Sequence, residues 1–222
     1  ALGLFQSQDE INRSPKQTYG EVRPGDIRYK DVNADGKIDD DDVVPIAHSN
    51  VPQIQYGFAL EYRYKRWTIS ALFTGAAKVN FLYGGSGFYP FSGGEVGNIL
   101  SIVNDPKNRW TPAWYSGDPS TENPNARFPR LTYGENKNNN RASTFWLADG
   151  SYLRWKSLDI SYRIGTNKAL RTVGISDMNL QFVGQNLAVW DSVKLWDPGQ
   201  ASKNGAVYPL QRTFSLQLTA TF

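Results

Sequence analysis

From Ile54 to Tyr64 the chain alternates without a break: Ile54, Tyr56, Phe58, Leu60, Tyr62 and Tyr64 occupy the even positions, and Gln55, Gly57, Ala59, Glu61 and Arg63 the odd ones. A side-chain period of two over this length predicts a strand with one apolar face ending in aromatics. After Lys65-Arg66 the phase resumes, with Trp67, Ile69, Ala71, Phe73, Gly75, Ala77 and Val79 set against Thr68, Ser70, Leu72, Thr74, Ala76 and Lys78. So tight a junction predicts a hairpin with a two-residue or similarly short turn. A third alternating run lies within about 145–164, where Leu158, Ile160, Tyr162 and Ile164 oppose Ser157, Asp159, Ser161 and Arg163. A fourth begins at Met178, Leu180 and Phe182 and continues through Gly184 to Trp190. The fifth, Thr213 to Phe222, carries apolar residues at its even positions.

The five runs are joined by links that are short, very long, moderate and long. Antiparallel strands that cross a bilayer keep their short turns on the periplasmic side and their long loops outside, and strands of about nine to eleven residues suit a tilted crossing. A soluble sandwich shows the same alternation, so the faces have to decide. The more polar face carries Glu61, Arg63, Lys78 and Asp159, as a wet lumen permits, and the apolar face carries Tyr and Trp near its ends in the manner of an interfacial girdle. The expected class is all-β: antiparallel strands at the C-terminal end of a large transmembrane β-barrel with long extracellular loops. Five strands cannot close such a barrel, and an open edge in lipid leaves unpaired backbone groups at several kcal/mol each, so the remaining strands must come from other sequence.

Residues 1–53 read as an extracellular loop region punctuated by Pro15, Gly20, Pro24 and Gly25, with Pro24 to Lys30 alternating like a short strand. Residues 54–222 read as the barrel strands, interrupted by an insert at about 84–144 rich in Gly, Pro, Asn and aromatics. Composition agrees with many strands and turns: of 222 residues, 14% are aromatic and 20 are Gly. The net charge of +3 is spread along the chain, which gives no clustered basic face for nucleic acid. Cysteine is absent, which excludes disulfides and thiolate metal sites. The opening Ala1-Leu2-Gly3-Leu4-Phe5 lacks the layout of a signal peptide.

One stretch specifies a chemistry by spacing alone. An EF-hand-type calcium loop needs oxygen ligands at positions 1, 3, 5, 7, 9 and 12 and a glycine at 6. Here Asp31, Asn33, Asp35, the Lys37 carbonyl, Asp39 and Asp42 fill those slots, with Gly36 at the turn. Asp in place of Glu at position 12 weakens the expected bidentate grip, and Pro45 interrupts any exiting helix, so an ion would pin a loop rather than an EF-hand. The competing reading is an acidic turn that binds nothing, because Asn, Asp and Gly are default turn formers. No enzyme constellation is visible: His48 is the sole histidine, and any triad with a histidine base would depend on it.

Several motifs together resemble the C-terminal part of SusC/RagA-type TonB-dependent transporters of the Bacteroidota outer membrane. They are the run Gly25-Asp26-Ile27-Arg28-Tyr29-Lys30-Asp31 through Asp39, Tyr56-Gly57-Phe58, Asn108-Arg109-Trp110-Thr111-Pro112, Asp149-Gly150-Ser151-Tyr152-Leu153-Arg154-Trp155-Lys156-Ser157-Leu158, Gly184-Gln185-Asn186-Leu187, and Tyr208-Pro209-Leu210-Gln211-Arg212-Thr213-Phe214. The resemblance implies a plugged barrel of about 22 strands, import of glycan or peptide fragments, a SusD-like surface lipoprotein as partner, energy delivered through TonB, and residence in the cell outer membrane. It also implies that the N-terminal remainder, with plug and other strands, completes the transporter. In the insert, Phe88, Tyr89, Trp110, Trp114 and Tyr115 are candidates for contact with ligand or lipoprotein, against the plainer reading that these rings pack the loop on itself. The alternative from another class is a soluble, secreted, calcium-dependent β-sandwich that binds carbohydrate. A dockerin-like module is a weaker option, since only one calcium loop is present.

Overall fold

The computed structural model describes residues 1–92 and 99–222; residues 93–98, inside the predicted insert, lie outside the described residues. The chain divides into two compact units, one made of Ala1–Ala47, Phe81–Ala148 and Ser202–Ala206, the other of His48–Asn80, Asp149–Ala201 and Val207–Phe222.

The second unit is a five-stranded antiparallel meander: β1 (Ile54–Tyr64), β2 (Trp67–Ala77), β3 (Tyr152–Arg163), β4 (Asp177–Asp191) and β5 (Thr213–Thr221), each paired with its chain neighbour. Lys65 takes a positive φ of 52° in the two-residue turn between β1 and β2, as tight hairpin turns demand at their first central position. Register lines the alternating residues up in rows. Tyr64, Trp67, Tyr162, Leu180 and Leu218 form one, and Tyr62, Ile69, Ile160, Phe182 and Leu216 the next. On the other face run Arg63, Thr68, Ser161, Gln181 and Gln217, then Glu61, Ser70, Asp159, Val183 and Ser215. Phe58 stacks on Phe73 and Phe73 on Trp155, with ring centroids 4.9 and 5.7 Å apart, so three strands are tied by one aromatic ladder.

The register shifts at Leu72/Phe73 between β2 and β3 and at Trp155/Ser157 between β3 and β4, which leaves Lys156 as a bulge. Below the bulge the apolar residues of β3 are even-numbered; above it Leu153 and Trp155 share the apolar face and Arg154 pairs with Thr74 and Val189 on the polar one. Among the described residues this is the one sheet of more than two strands, so the packed second sheet that a sandwich needs is not there. No helix among the described residues is long and apolar enough to cross a membrane, which has no bearing on a β-barrel.

The first unit is assembled from stretches far apart in sequence. Residues 2–5 pair with 25–28 through backbone bonds such as Phe5 N–H to Asp26 carbonyl at 2.9 Å, and Lys16–Gln17 pairs in parallel with Lys37–Ile38. A short helix, Gln8–Arg13, is capped by Ser7, whose hydroxyl accepts from Glu10 N–H. The core gathers Phe5, Ile27 and Ile38 from the N-terminal stretch with Phe88, Val103, Trp110, Phe128 and Trp146 from the insert, all buried. Phe88 is its centre, with Tyr83, Trp146 and Phe128 at 5.0, 5.6 and 5.8 Å. Gly25 sits at φ +90°, and a Cβ there would lie 2.2 Å from the Trp110 ring, so both conformation and space demand glycine.

Three local expectations are corrected. Pro24 to Lys30 is a turn with a single bridging residue, Ile27, because Gly25 is left-handed and the Asp26 carboxylate takes the Arg23 N–H. Lys78 is not on the polar face of a strand: β2 ends at Ala77 and Lys78 is left-handed. Residues 145–151 do not belong to the long third strand, which starts at Tyr152; Leu147–Asp149 is a separate short strand.

Candidate functional site

The sheet presents its side chains to the surroundings on both faces. Every residue of β1 is exposed, as is nearly all of β5. Leu60, Tyr62, Phe214, Leu216 and Leu218 are each at least 60% accessible. A large apolar side chain left in water forgoes roughly 1.5–3 kcal/mol of burial, and a row-by-row apolar surface of this extent is built for a non-aqueous neighbour. The same face carries Tyr64, Trp67 and Tyr162 at the end with the two-residue turn, and Tyr56 and Trp190 at the other. Eight residues separate the Tyr56 and Tyr64 rows along β1, about 26 Å at ~3.3 Å per residue, or roughly 20 Å of height for strands tilted near 40°. β1 and β5 each pair on one side only, so the sheet has two open edges.

In the loop from Asp31 to Asp42 the side-chain oxygens are oriented by backbone N–H groups. Asp31 accepts from Ala34 and Gly36 at 2.6 and 2.8 Å, Asn33 from Asp35 at 3.0 Å, Asp35 from Lys37 at 2.9 Å, and Asp39 from Asp41 at 3.0 Å. Asp42 reaches back to Val32 at 2.6 Å and also takes Asp39 N–H at 3.0 Å. The bonds from Val32 and Asp39 hold the Asp42 carboxyl below the usual carboxylate range. The loop is anchored to the insert through Asp40, whose carboxylate takes Arg141 at 2.7 Å while that guanidinium lies 3.5 Å from the Tyr19 ring centre. Among the described residues no three Asp, Glu, His or Cys side chains converge closely enough to hold a metal ion. The donor chemistry nevertheless fits a hard cation, because each carboxylate oxygen engaged by an N–H keeps a second lone pair.

The five aromatic candidates of the insert separate by environment. Phe88 and Trp110 are core residues, and the Trp110 indole donates to Gln6 Oε1 at 3.2 Å. Tyr89 is half-buried against Trp146, its hydroxyl bonded to the Tyr83 carbonyl, and burial pushes its phenol up to about 12. Trp114 and Tyr115 are 84% and 70% exposed, edge-to-face at 5.9 Å on the single helical turn Ala113–Ser116. That turn is rigid: Glu122 accepts the Ala113 N–H at 2.7 Å and left-handed Gly117 closes its end.

A buried polar network lies outside the residues that spacing and composition single out. The Asp26 carboxylate, fully buried, accepts from Arg23 N–H at 2.8 Å, Asn139 Nδ2 at 2.8 Å, Asn136 Nδ2 at 3.2 Å and Arg130 Nη2 at 3.0 Å, with Arg130 Nε at 2.9 Å. Asn138 and Gln17 extend it, both donating to the Ile27 carbonyl. The signal was in the sequence, as three consecutive asparagines, 138–140, amid an otherwise aromatic and proline-rich insert. His48 is exposed and its Nδ1 faces Gln53 Nε2 at 3.4 Å.

No family model matches the chain. It is 28% identical to the TonB-dependent receptor P26 of Formosa agariphila over 233 residues, spanning 100% of this chain and 22% of that protein. It is also 24% identical to the TonB-dependent receptor P3 of the same organism, spanning 91% of this chain and 20% of that one. The chain thus covers about a fifth of the length of these curated relatives, which are receptors rather than enzymes. Among solved structures, its fold matches the RagAB peptide importer in the open-open state with a TM-score of 0.62 at 19% identity, over 99% of this chain and 21% of that one. The closed-closed state gives 0.61 at 20% identity, over 85% and 20%. Motif order, two-faced sheet and an end-to-end match agree: the chain has the fold of a β-barrel segment and is similar along its whole length to TonB-dependent receptors.

Proposed function

We propose that the chain supplies five wall strands of an outer-membrane importer that takes up glycan or peptide fragments together with a SusD-like surface lipoprotein, driven through TonB. The observation that carries this is the sheet: a continuous apolar face bounded at both ends by aromatics, a polar opposite face, and two open edges. In lipid the apolar rows gain the surroundings that water denies them, the aromatic ends sit at the headgroups, and the polar rows line the lumen. The height of roughly 20 Å between aromatic rows is within a few ångströms of the apolar band of about 25 Å that barrels present. Relatives named for TonB-dependent reception and a fold neighbour named as a peptide importer support uptake as the task. Trp114 and Tyr115, held rigidly in solvent, are the rings suited to meet ligand or lipoprotein, whereas Phe88 and Trp110 hold the first unit together.

Orientation follows from link length: the Lys65-Arg66 turn faces the periplasm and the insert faces outside. Single cysteines placed in the full-length transporter test this on intact cells. One at Tyr115 reacts with an impermeant thiol reagent and one at Arg66 does not; the opposite pattern overturns the orientation.

We further infer that the Asp31–Asp42 loop takes one calcium ion with a structural role. Support comes from the spacing and from the N–H bonds that pre-orient its oxygens. Donors that are all oxygen, without Cys or His, favour calcium over zinc, and six flexible positions favour it over magnesium.

A further inference from the structure

On the polar face, above the bulge, the second unit contains a cavity of about 260 Å³. Two guanidiniums and one carboxylate line it. Arg154 on β3 is buried and donates through Nη2 to both oxygens of Asp197, at 2.5 and 2.6 Å, and Asp197 in turn caps the turn Pro198–Gln200 by accepting Gly199 N–H at 2.9 Å. That pair is internally neutral. Arg212, just before β5, is exposed, and no carboxylate pairs with it among the described residues. Its position is set by Asn186, a left-handed residue of β4, whose carbonyl accepts Arg212 Nε at 3.4 Å and whose amide donates to the Gln211 carbonyl at 2.9 Å. Leu210 adds an apolar wall.

We propose that this cavity is a recognition subsite for a carboxylate carried by the imported fragment, with Arg212 as its principal contact. The charge sum leaves one positive charge, and a guanidinium meets a carboxylate with two parallel N–H bonds, a geometry that an ammonium or a neutral donor does not offer. The volume admits one residue or one sugar ring and not a whole ligand, which makes it a subsite along a path. Arg154 is a positioning residue: locked to Asp197, it holds the loop that forms one wall. The proposal rests on the importer reading, because that reading makes the polar face the lumen.

A carboxylate reaches such a lumen as a peptide C-terminus or as a uronic acid, and the test separates the two. The full-length transporter, wild type and the variants Arg212→Gln and Arg212→Lys, is assayed for binding in detergent and for uptake in cells. One arm pairs short peptides with free and with amidated C-termini; the other pairs uronic-acid oligosaccharides with their neutral counterparts. The expected result in one arm is preference for the charged member, reduced roughly tenfold or more in Arg212→Gln, partly retained in Arg212→Lys, weakened by added salt, and with the neutral member unchanged. Equal losses for charged and neutral members, or no preference in wild type, overturn the subsite while leaving the importer reading intact. If wild type binds and imports no member of either pair, the importer reading fails and the subsite falls with it.

Discussion

Removing the charge of Asp26 is the sharpest test of how the first unit is held. Asp26 is fully buried and accepts one backbone and three side-chain hydrogen bonds, with Arg130 Nε in ion-pair contact beside them and the Arg130 side chain itself only 17% exposed. Asp26→Asn keeps the shape but turns one oxygen into an N–H donor that faces other donors and leaves Arg130 uncompensated. Summing charged hydrogen bonds at about 1.5–3 kcal/mol each overstates the loss, because the five contacts are not independent. Breaking a buried ion pair from one side costs about 3–5 kcal/mol, and that is the expected figure here. The unit spans segments that can open locally, so the assay is limited proteolysis of the full-length transporter under conditions where opening and closing outpace cleavage. Cleavage within 1–47 and 81–148 should then quicken by roughly 10²- to 10⁴-fold. Arg130→Met alone should also be damaging, while Asp26→Asn with Arg130→Met should cost well below the sum. A change under about threefold for Asp26→Asn, or strict additivity in the double variant, refutes the reasoning.

The other predictions are shorter. Arg at Phe58 or Leu216 should lower barrel stability by ~2–4 kcal/mol, and Arg at Ala59 or Gln217 much less, in refolding assays in lipid; equal effects would remove the distinction between faces. Asp31→Ala with Asp35→Ala should abolish calcium-dependent protection of the Asp31–Asp42 loop from protease, and protection that chelator never altered in the wild type would reduce the loop to an acidic turn. Burial raises the Tyr89 phenol, so the neutral form is favoured in the folded state. Its stabilising contribution is therefore complete below pH 10 and is lost as pH climbs from 10 through about 12. Tyr89→Phe should flatten the alkaline end of the thermal stability profile over that window, and an unchanged profile would count against the assignment.

The strands were legible because a sheet with two different environments must alternate: Ile54–Tyr64 and Thr213–Thr221 are found where the period places them. The insert was legible only as length. Its fold depends on Asp26 meeting Arg130 across 104 residues, and a polar contact of that kind leaves no periodic trace. The Asp31–Asp42 segment was legible as a turn, since the side-chain-to-backbone bonds that shape it are local. Trp110 shows the limit of reading aromatics one at a time: only the fit of its ring over Gly25 marks it as core rather than contact. The bulge did leave a trace that strict alternation overlooks. Leu153 and Trp155 are odd-numbered and Leu158 and Ile160 even, and a phase change inside one strand requires an extra residue.

That extra residue, Lys156, makes the segment unevenly tolerant of insertion and deletion. Substituting Lys156 alters one side chain. Deleting it sets Trp155 directly before Ser157, so β3 alternates without a break and Leu153 and Trp155 keep the face of Leu158 and Ile160, whereas deleting Leu158 or Asp159 instead exchanges the faces on one side of the cut. A length change of one is therefore absorbed at Lys156 and severe elsewhere along β3. Loops outside the sheet carry no such parity, so a change of length there exchanges no face. Divergence among relatives should accordingly be written in indels on the outside and in substitutions along the wall.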